Sequence, residues 1–145
     1  MMETNPRKRT ALVGCSDDWM CRSLQTVFEE KGYTATRVGS GKQMLKLARD
    51  GPDVVLVDER IDDLSAVEVC MALRGDPLFD HATPIVITSC AHADPQSRAA
   101  AYRAGAWEYF QQPLNVGDLF LKLGTFLRAR DELEVSQSQR RVDQA

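Results

Sequence analysis

The sequence lacks the long apolar run of a membrane protein and most of the residues that hold transition metals. No segment approaches the ~20 consecutive apolar residues of a membrane-spanning helix, so we expect no membrane partner. The chain has two histidines and four cysteines, and no Cys-x-x-Cys pair occurs. This pattern argues against a zinc cluster and favours reduced thiols in a cytoplasmic protein.

The chain also lacks an excess of positive charge. Its 145 residues include 18 Lys plus Arg against 21 Asp plus Glu. This balance argues against direct binding of nucleic acid, which needs a basic surface. The length fits one domain of about 100–150 residues. We expect a disordered leader over residues 1–9, a domain over 10–130, and a helical extension or linker tail over 131–145.

Apolar or β-branched segments alternate with segments of helical character. The five predicted strands are 10–15, 34–38, 53–58, 84–89 and 107–112. The third and fourth are nearly continuous Val, Ile and Leu, which is typical of parallel strands buried on both faces. The pattern predicts an α/β protein with a doubly wound (βα)5 fold, a flavodoxin-like three-layer sandwich with sheet order 2-1-3-4-5.

In such a sheet, ligands bind at the carboxyl ends of the strands, so the residues that end each strand are the candidates for a site. Asp58 ends the most apolar strand, VVLVD. A carboxylate there either caps the following turn or acts as a nucleophile, since carboxylates form aspartyl phosphates.

Other polar residues follow the neighbouring strands. Asp17 and Asp18 come after strand 1 and have the oxygen ligands that magnesium prefers, although Asp17 can also be a helix N-cap. Ser89 ends strand 4 and Gln112 follows strand 5, and both side chains can donate hydrogen bonds to a phosphoryl oxygen.

These residues and their spacing resemble the receiver domain of two-component response regulators. The shared features are the acids after strand 1, VVLVD ending in Asp58, the hydroxyl of PIVITS at Ser89, the AGA at 104–106, the aromatic Tyr109, and Gln112-Pro113. The resemblance covers residues 10 to about 130. It implies that Asp58 accepts a phosphoryl group from a histidine kinase or phosphotransfer protein.

The resemblance also implies roles for the surrounding residues. Magnesium would be held by Asp17, Asp18, Asp58 and the backbone carbonyl of Arg60, while Ser89 and Gln112 would hold the phosphoryl group. Ser89 and Tyr109 would then rearrange and shift the surface of helix 4, strand 5 and helix 5, which contacts a downstream output domain or protein. No general base or cofactor loop is evident, so we do not expect an enzyme.

Two departures from the family pattern leave an alternative open. The acidic pair that usually ends strand 1 falls on Cys15 and Ser16, which weakens the magnesium prediction, and the usual lysine before the proline is Gln112. The alternative is a degenerate pseudo-receiver, a protein-interaction module that works without phosphorylation.

The tail carries a separate signal. Leu119, Phe126 and Leu133 lie seven residues apart, and no Gly or Pro occurs after Thr125. This spacing predicts that the last helix extends past Arg130 and forms a homodimer with a second copy. The alternative is a solvated helix end.

Overall fold

A computed structural model describes residues 8–89 and 94–143, with side chains as far as residue 136. Most of the predicted leader lies outside the described residues, as do Cys90 and the last two residues of the predicted tail. The chain divides into two compact units after Pro113.

The first unit contains one parallel sheet in the predicted order, β2-β1-β3-β4-β5, which confirms the expected fold class. The strands are β1 Thr10–Gly14, β2 Thr34–Val38, β3 Val54–Asp58, β4 Ile85–Ser89 and β5 Glu108–Gln111. Every residue of β3 and β4 is buried. Their continuous apolar sequence reflects this position, because a central parallel strand has no face in contact with water.

Helices follow the strands in alternation. They are α1 Asp18–Glu30, α2 Gly41–Leu47, α3 Ala66–Gly75, α4 Pro95–Arg103 and α5 Val116–Asp143, and a 3-10 turn, Ala48–Asp50, follows α2. Polar side chains cap the starts of α3 and α4. Ser65 forms a capping box with Glu68 at the start of α3, and Asp94 accepts a hydrogen bond from the backbone N–H of Ser97 ahead of Pro95.

The loop that follows β3 is fixed by Asp63. This residue has a positive φ of 70°, and its carboxylate accepts hydrogen bonds from the backbone N–H groups of Gly41, Lys42 and Leu64. Desolvation raises the pKa of Asp63, but the three hydrogen bonds outweigh this effect and hold the pKa below its ordinary value. The carboxylate therefore ties the segment after Asp58 to the start of α2 and sets the path of residues 59–62.

The second unit consists mainly of α5. Asn115 caps this helix by accepting a hydrogen bond from the backbone N–H of Asp118, and the helix continues without a break to Asp143. Leu119, Leu123 and Leu127 are buried. Among the side chains described, the large apolar residues Leu121, Leu133 and Val135 are exposed. No helix in the described part of the chain is long and apolar enough to cross a bilayer.

Candidate functional site

Asp58 lies at the carboxyl end of β3 with its side chain completely buried. Its Oδ2 accepts hydrogen bonds from Oγ1 of Thr88 at 2.7 Å and Nε2 of Gln112 at 2.8 Å. Its Oδ1 accepts one from the backbone N–H of Arg60 at 2.9 Å and lies 3.4 Å from Nε of the same residue. A buried carboxylate needs such donors, because an unpaired charge away from water is very costly.

The hydroxyl that reaches Asp58 belongs to Thr88, whereas the sequence prediction chose Ser89. The register of the sheet explains the difference, because Asp58 on β3 lies directly opposite Thr88 on β4. Successive side chains on a strand point to opposite faces, so the next residue, Ser89, is directed elsewhere. The sequence carried a signal for this outcome, because two hydroxyl residues are adjacent at the end of β4.

Ser89 and Tyr109, both predicted as switch residues, meet at Glu59. Oγ of Ser89 donates to Oε2 of Glu59 at 2.6 Å, and the phenol of Tyr109 donates to Oε1 at 3.1 Å. Arg98 of α4 lies 5.3 Å from the centroid of the Tyr109 ring, and its Nη1 donates to the carbonyl of Tyr109 at 3.4 Å. Sequence reasoning overlooked Glu59, although an acid directly after Asp58 was a visible signal.

The environment of Tyr109 favours its neutral form. Burial raises the pKa of this phenol, and although the Ser89 hydrogen bond lowers it, the charge on Glu59 raises it further. The phenol therefore remains a hydrogen-bond donor to Glu59 at neutral pH.

Asp17 and Asp18, both predicted as metal ligands, bind different partners within the chain. Asp17 caps α1 by accepting a hydrogen bond from the backbone N–H of Met20 at 2.9 Å. The side chain of Asp18 is 70% exposed and forms ion pairs with Arg22 and Arg37, each at 3.2 Å. Within the described residues, no group of three or more His, Cys, Asp or Glu side chains is placed to hold a metal ion.

The side chain of Arg60 contacts both Asp17 and Asp58. Its Nε is 3.4 Å from Oδ1 of Asp58, and its Nη1 is 3.6 Å from Oδ2 of Asp17. Its carbonyl, predicted as a metal ligand, accepts hydrogen bonds from the backbone N–H of Ser16 at 2.7 Å and from the Ser16 hydroxyl at 2.5 Å. Both the side chain and the carbonyl of Arg60 are thus engaged within the chain.

Cys15, at one of the usual acidic positions, is buried and directs its thiol to the carbonyl of Asp17. Cys21 donates its own thiol to the carbonyl of Cys15 at 2.6 Å. Burial raises the pKa of Cys15, and it raises the pKa of Cys21 to about 12. Both are therefore neutral thiols at neutral pH, and like Cys70 they form no disulfide.

Comparisons with known proteins agree with this arrangement. The profile of the family described as "Response regulator receiver domain" matches residues 16–123. The DNA-binding response regulator MtrA of Mycolicibacterium paratuberculosis is 27% identical over 126 residues, which cover 86% of this chain and 54% of MtrA. The chain thus spans about half the length of this relative.

Solved structures show the same fold. A putative response regulator from Chloroflexus aurantiacus superposes with a TM-score of 0.76 at 25% identity, covering 84% of this chain and 99% of that one. The receiver domain of the sensor histidine kinase PA1611 from Pseudomonas aeruginosa gives a TM-score of 0.74 at 20% identity, with coverage of 83% and 98%. In that structure a magnesium ion is coordinated in the active-site cleft. From the family match, the parallel sheet and Asp58 at its carboxyl edge, we conclude that this chain belongs to the response regulator receiver domains of two-component signal transduction.

Proposed function

We propose that Asp58 is the phosphoryl acceptor of this receiver and that a histidine kinase or phosphotransfer protein is the donor. The observation that supports this role is the convergence of Thr88 and Gln112 on one carboxylate oxygen of Asp58. Both are donors at the carboxyl edge of the sheet, where they are placed to bond the oxygens of a transferred phosphoryl group.

In the transfer, a carboxylate oxygen of Asp58 attacks the phosphorus of a phosphohistidine. The new P–O bond forms as the P–N bond breaks, and the electron pair of that bond goes to the ring nitrogen. A phosphohistidine that is protonated at its other ring nitrogen thus leaves as neutral histidine. Gln112 offers a neutral hydrogen bond where the family has a lysine. A charge-assisted bond contributes about 1.5–3 kcal/mol against about 1 for a neutral one, so the phosphorylated state is about tenfold less favoured than with a lysine.

The proposed output runs through β5 and α4. Ser89 and Tyr109 share Glu59, and the Tyr109 ring contacts Arg98 of α4. A phosphoryl group on Asp58 adds negative charge next to Glu59 in sequence, and like charges repel. We expect this repulsion to displace Glu59, which breaks its hydrogen bonds with Ser89 and Tyr109 and alters the surface of α4. The participation of α5 in this surface stays a prediction.

One observation favours a second candidate, the pseudo-receiver that works without phosphorylation. The chain already provides an anion, Glu59, that takes the hydrogen bonds of Ser89 and Tyr109, and a cation, Arg60, beside Asp58. A site that satisfies its own charges can hold one conformation and bind a partner in that state.

Acetyl phosphate distinguishes the two candidates. Intact mass spectrometry of the chain, with and without magnesium, should show the gain of one phosphoryl group, and Asp58→Asn should abolish it. Asp50→Asn, at an exposed acid of the 3-10 turn, is the matched control and should leave the gain unchanged. If no donor concentration phosphorylates the folded chain, the pseudo-receiver is the correct assignment.

The remaining partners are part of the same proposal. We expect a downstream output domain or protein, a cytoplasmic location, and no enzymatic activity of the chain's own. Homodimer formation through α5 also stays a prediction, motivated by Leu133, which is 57% exposed. Light scattering should show a dimer that Leu133→Asp weakens, and a monomeric unmutated chain would contradict it.

A further inference from the structure

We infer that the guanidinium of Arg60 is the resident cation of the Asp58 site and holds the place that a divalent metal ion would need. It lies between the carboxylates of Asp58 and Asp17, with N–O distances of 3.4 and 3.6 Å. These are the two acids near enough to each other to share a cation through one side chain. The inference deepens the function proposed for Asp58, and its first test does not depend on phosphorylation.

The oxygen ligands expected for magnesium do not fit that ion here. Asp18 is bound to Arg22 and Arg37 instead. The carbonyl of Arg60 accepts two hydrogen bonds from Ser16, and a carbonyl oxygen has two lone pairs. Magnesium demands near-ideal octahedral oxygen coordination, and the remaining carboxylates of Asp17 and Asp58 both face the guanidinium.

The position of Arg60 is held by its backbone as well as its side chain. Its N–H donates to Oδ1 of Asp58, the same oxygen that Nε approaches. The Ser16 contacts to its carbonyl fix the following peptide group, so the backbone of Arg60 is held on both sides of its Cα. A guanidinium presented from an anchored backbone loses less freedom on binding than a free side chain does, so the ion pair is preorganised.

A consequence follows for phosphoryl transfer, and it rests on the function proposed for Asp58. Arginine binds phosphate and carboxylate oxygens through a rigid set of donors and keeps its charge at any working pH. Arg60 therefore supplies counter-charge for the phosphoryl group from within the chain. Transfer to Asp58 should then proceed equally well with magnesium or with a chelator.

Magnesium binding to the full chain, measured by calorimetry with MgCl2 alone, tests the inference. Removing one positive charge next to two carboxylates should tighten binding by about tenfold in Arg60→Met, allowing for the partial exposure of the side chain. Arg60→Lys keeps a cation and should bind as weakly as the unmutated chain. Arg49→Met removes an exposed guanidinium that pairs with Asp76 elsewhere and should change nothing.

A second background keeps the test decisive if two acids alone are too few for a measurable site. The same Arg60→Met change is made in a chain carrying Cys15→Asp and Ser16→Asp, with folding of each variant checked by circular dichroism. About tenfold tighter binding on loss of Arg60 in either background supports the resident cation. Equal magnesium affinity with and without Arg60 in both backgrounds overturns it, as does tight binding by the unmutated chain.

Phosphorylation is measured separately, with acetyl phosphate in magnesium and in EDTA. Equal yields in both solutions support Arg60 as the counter-charge, whereas a yield that depends on magnesium overturns that role. If neither solution gives phosphorylation, the function proposed for Asp58 fails, and the magnesium titrations still decide whether Arg60 is the resident cation.

Discussion

Arg60 and Arg74 are both partly buried guanidinium groups at the sheet, but they lie at opposite ends of its strands and contact different partners. Arg74, in the last turn of α3, donates to the backbone carbonyls of Gly105 and His81 at 3.0 and 3.2 Å. These residues precede β5 and β4, whereas Arg60 follows the carboxyl end of β3. Arg74 is therefore at the amino edge and Arg60 at the carboxyl edge.

The groups that Arg74 contacts directly are neutral, although the charge on Asp80 also acts on its guanidinium. Its guanidinium carbon lies 5.7 Å from the ring centroids of both Phe79 and Trp107. Gly105 has a φ of 106°, and a Cβ there would approach the Arg74 side chain to 2.6 Å, so the two residues fit closely. Arg60 instead contacts carboxylates. The comparison shows that an arginine with neutral partners fixes loops, whereas one among carboxylates supplies charge that a function can use.

The largest expected effect is on the free energy of unfolding, which should fall more when Arg74 is replaced than when Arg60 is replaced. Arg74→Met removes two hydrogen bonds to carbonyls and two ring contacts, and should lower the free energy of unfolding by about 2 kcal/mol. Arg60→Met should lower it by about 1 kcal/mol or less, because the guanidinium is partly exposed to water and the buried carboxylate of Asp58 keeps its hydrogen bonds from Thr88, Gln112 and the backbone N–H of residue 60. Urea denaturation of both variants checks the order. A larger loss for Arg60→Met would contradict the roles assigned here.

The second prediction compares the adjacent hydroxyls of β4. Thr88→Val removes a hydrogen bond to the buried carboxylate of Asp58 and should cost about 1.5–2 kcal/mol of unfolding free energy. Ser89→Ala should cost about 1 kcal/mol or less, because its partner Glu59 is exposed enough to bind water. Denaturation midpoints at equal m-values provide the measurement. The reverse order would contradict the hydrogen bond from Thr88 to the buried carboxylate of Asp58.

A third prediction concerns the two acids that begin α1. Asp17→Ala removes the N-cap of α1 and should cost about 1 kcal/mol. Asp18→Ala breaks two exposed ion pairs and should cost no more than about 0.5 kcal/mol. Thermal unfolding at low and high salt checks both values, since salt screens exposed pairs but has little effect on the cap. Equal costs would mean that Asp18 contributes more to stability than its two exposed ion pairs do.

The smallest expected effect is spectroscopic. Glu59→Gln removes a negative charge beside the phenol of Tyr109, so this tyrosine should ionise at lower pH than in the unmutated chain. Absorbance at alkaline pH measures the shift, and Tyr109→Phe assigns it among the three tyrosines. An unchanged titration would mean that Glu59 does not hold Tyr109 in solution.

The raised pKa of Tyr109 makes the stability of the folded chain depend on pH at alkaline values. Burial raises the pKa of Tyr109 above the unfolded value of about 10. The folded chain then binds more protons than the unfolded chain at higher pH, so this contribution to stability is present below about pH 10 and is lost as the pH rises through the folded pKa. Tyr109→Phe should remove that part of the alkaline loss.

The sequence was sufficient for the architecture because hydrophobic periodicity reports burial directly. The runs DVVLVD and PIVITS predicted the two central strands to within one residue, and the strand order followed from the rules for parallel crossovers. The sequence also predicted that Asp58 and Gln112 lie at the same edge of the sheet, where the structure places the Gln112 amide 2.8 Å from the Asp58 carboxylate.

The contacts around Asp58 were decided only by the tertiary structure. Whether Thr88 or Ser89 reaches the carboxylate depends on the register of β3 against β4, which strand composition does not encode. The roles of Glu59 and Arg60 depend on the path of the loop that Asp63 fixes, and that path directs one side chain to Ser89 and the other to Asp17. Burial is a property that a local pattern carries, whereas a contact between residues distant in sequence exists only once the chain has folded.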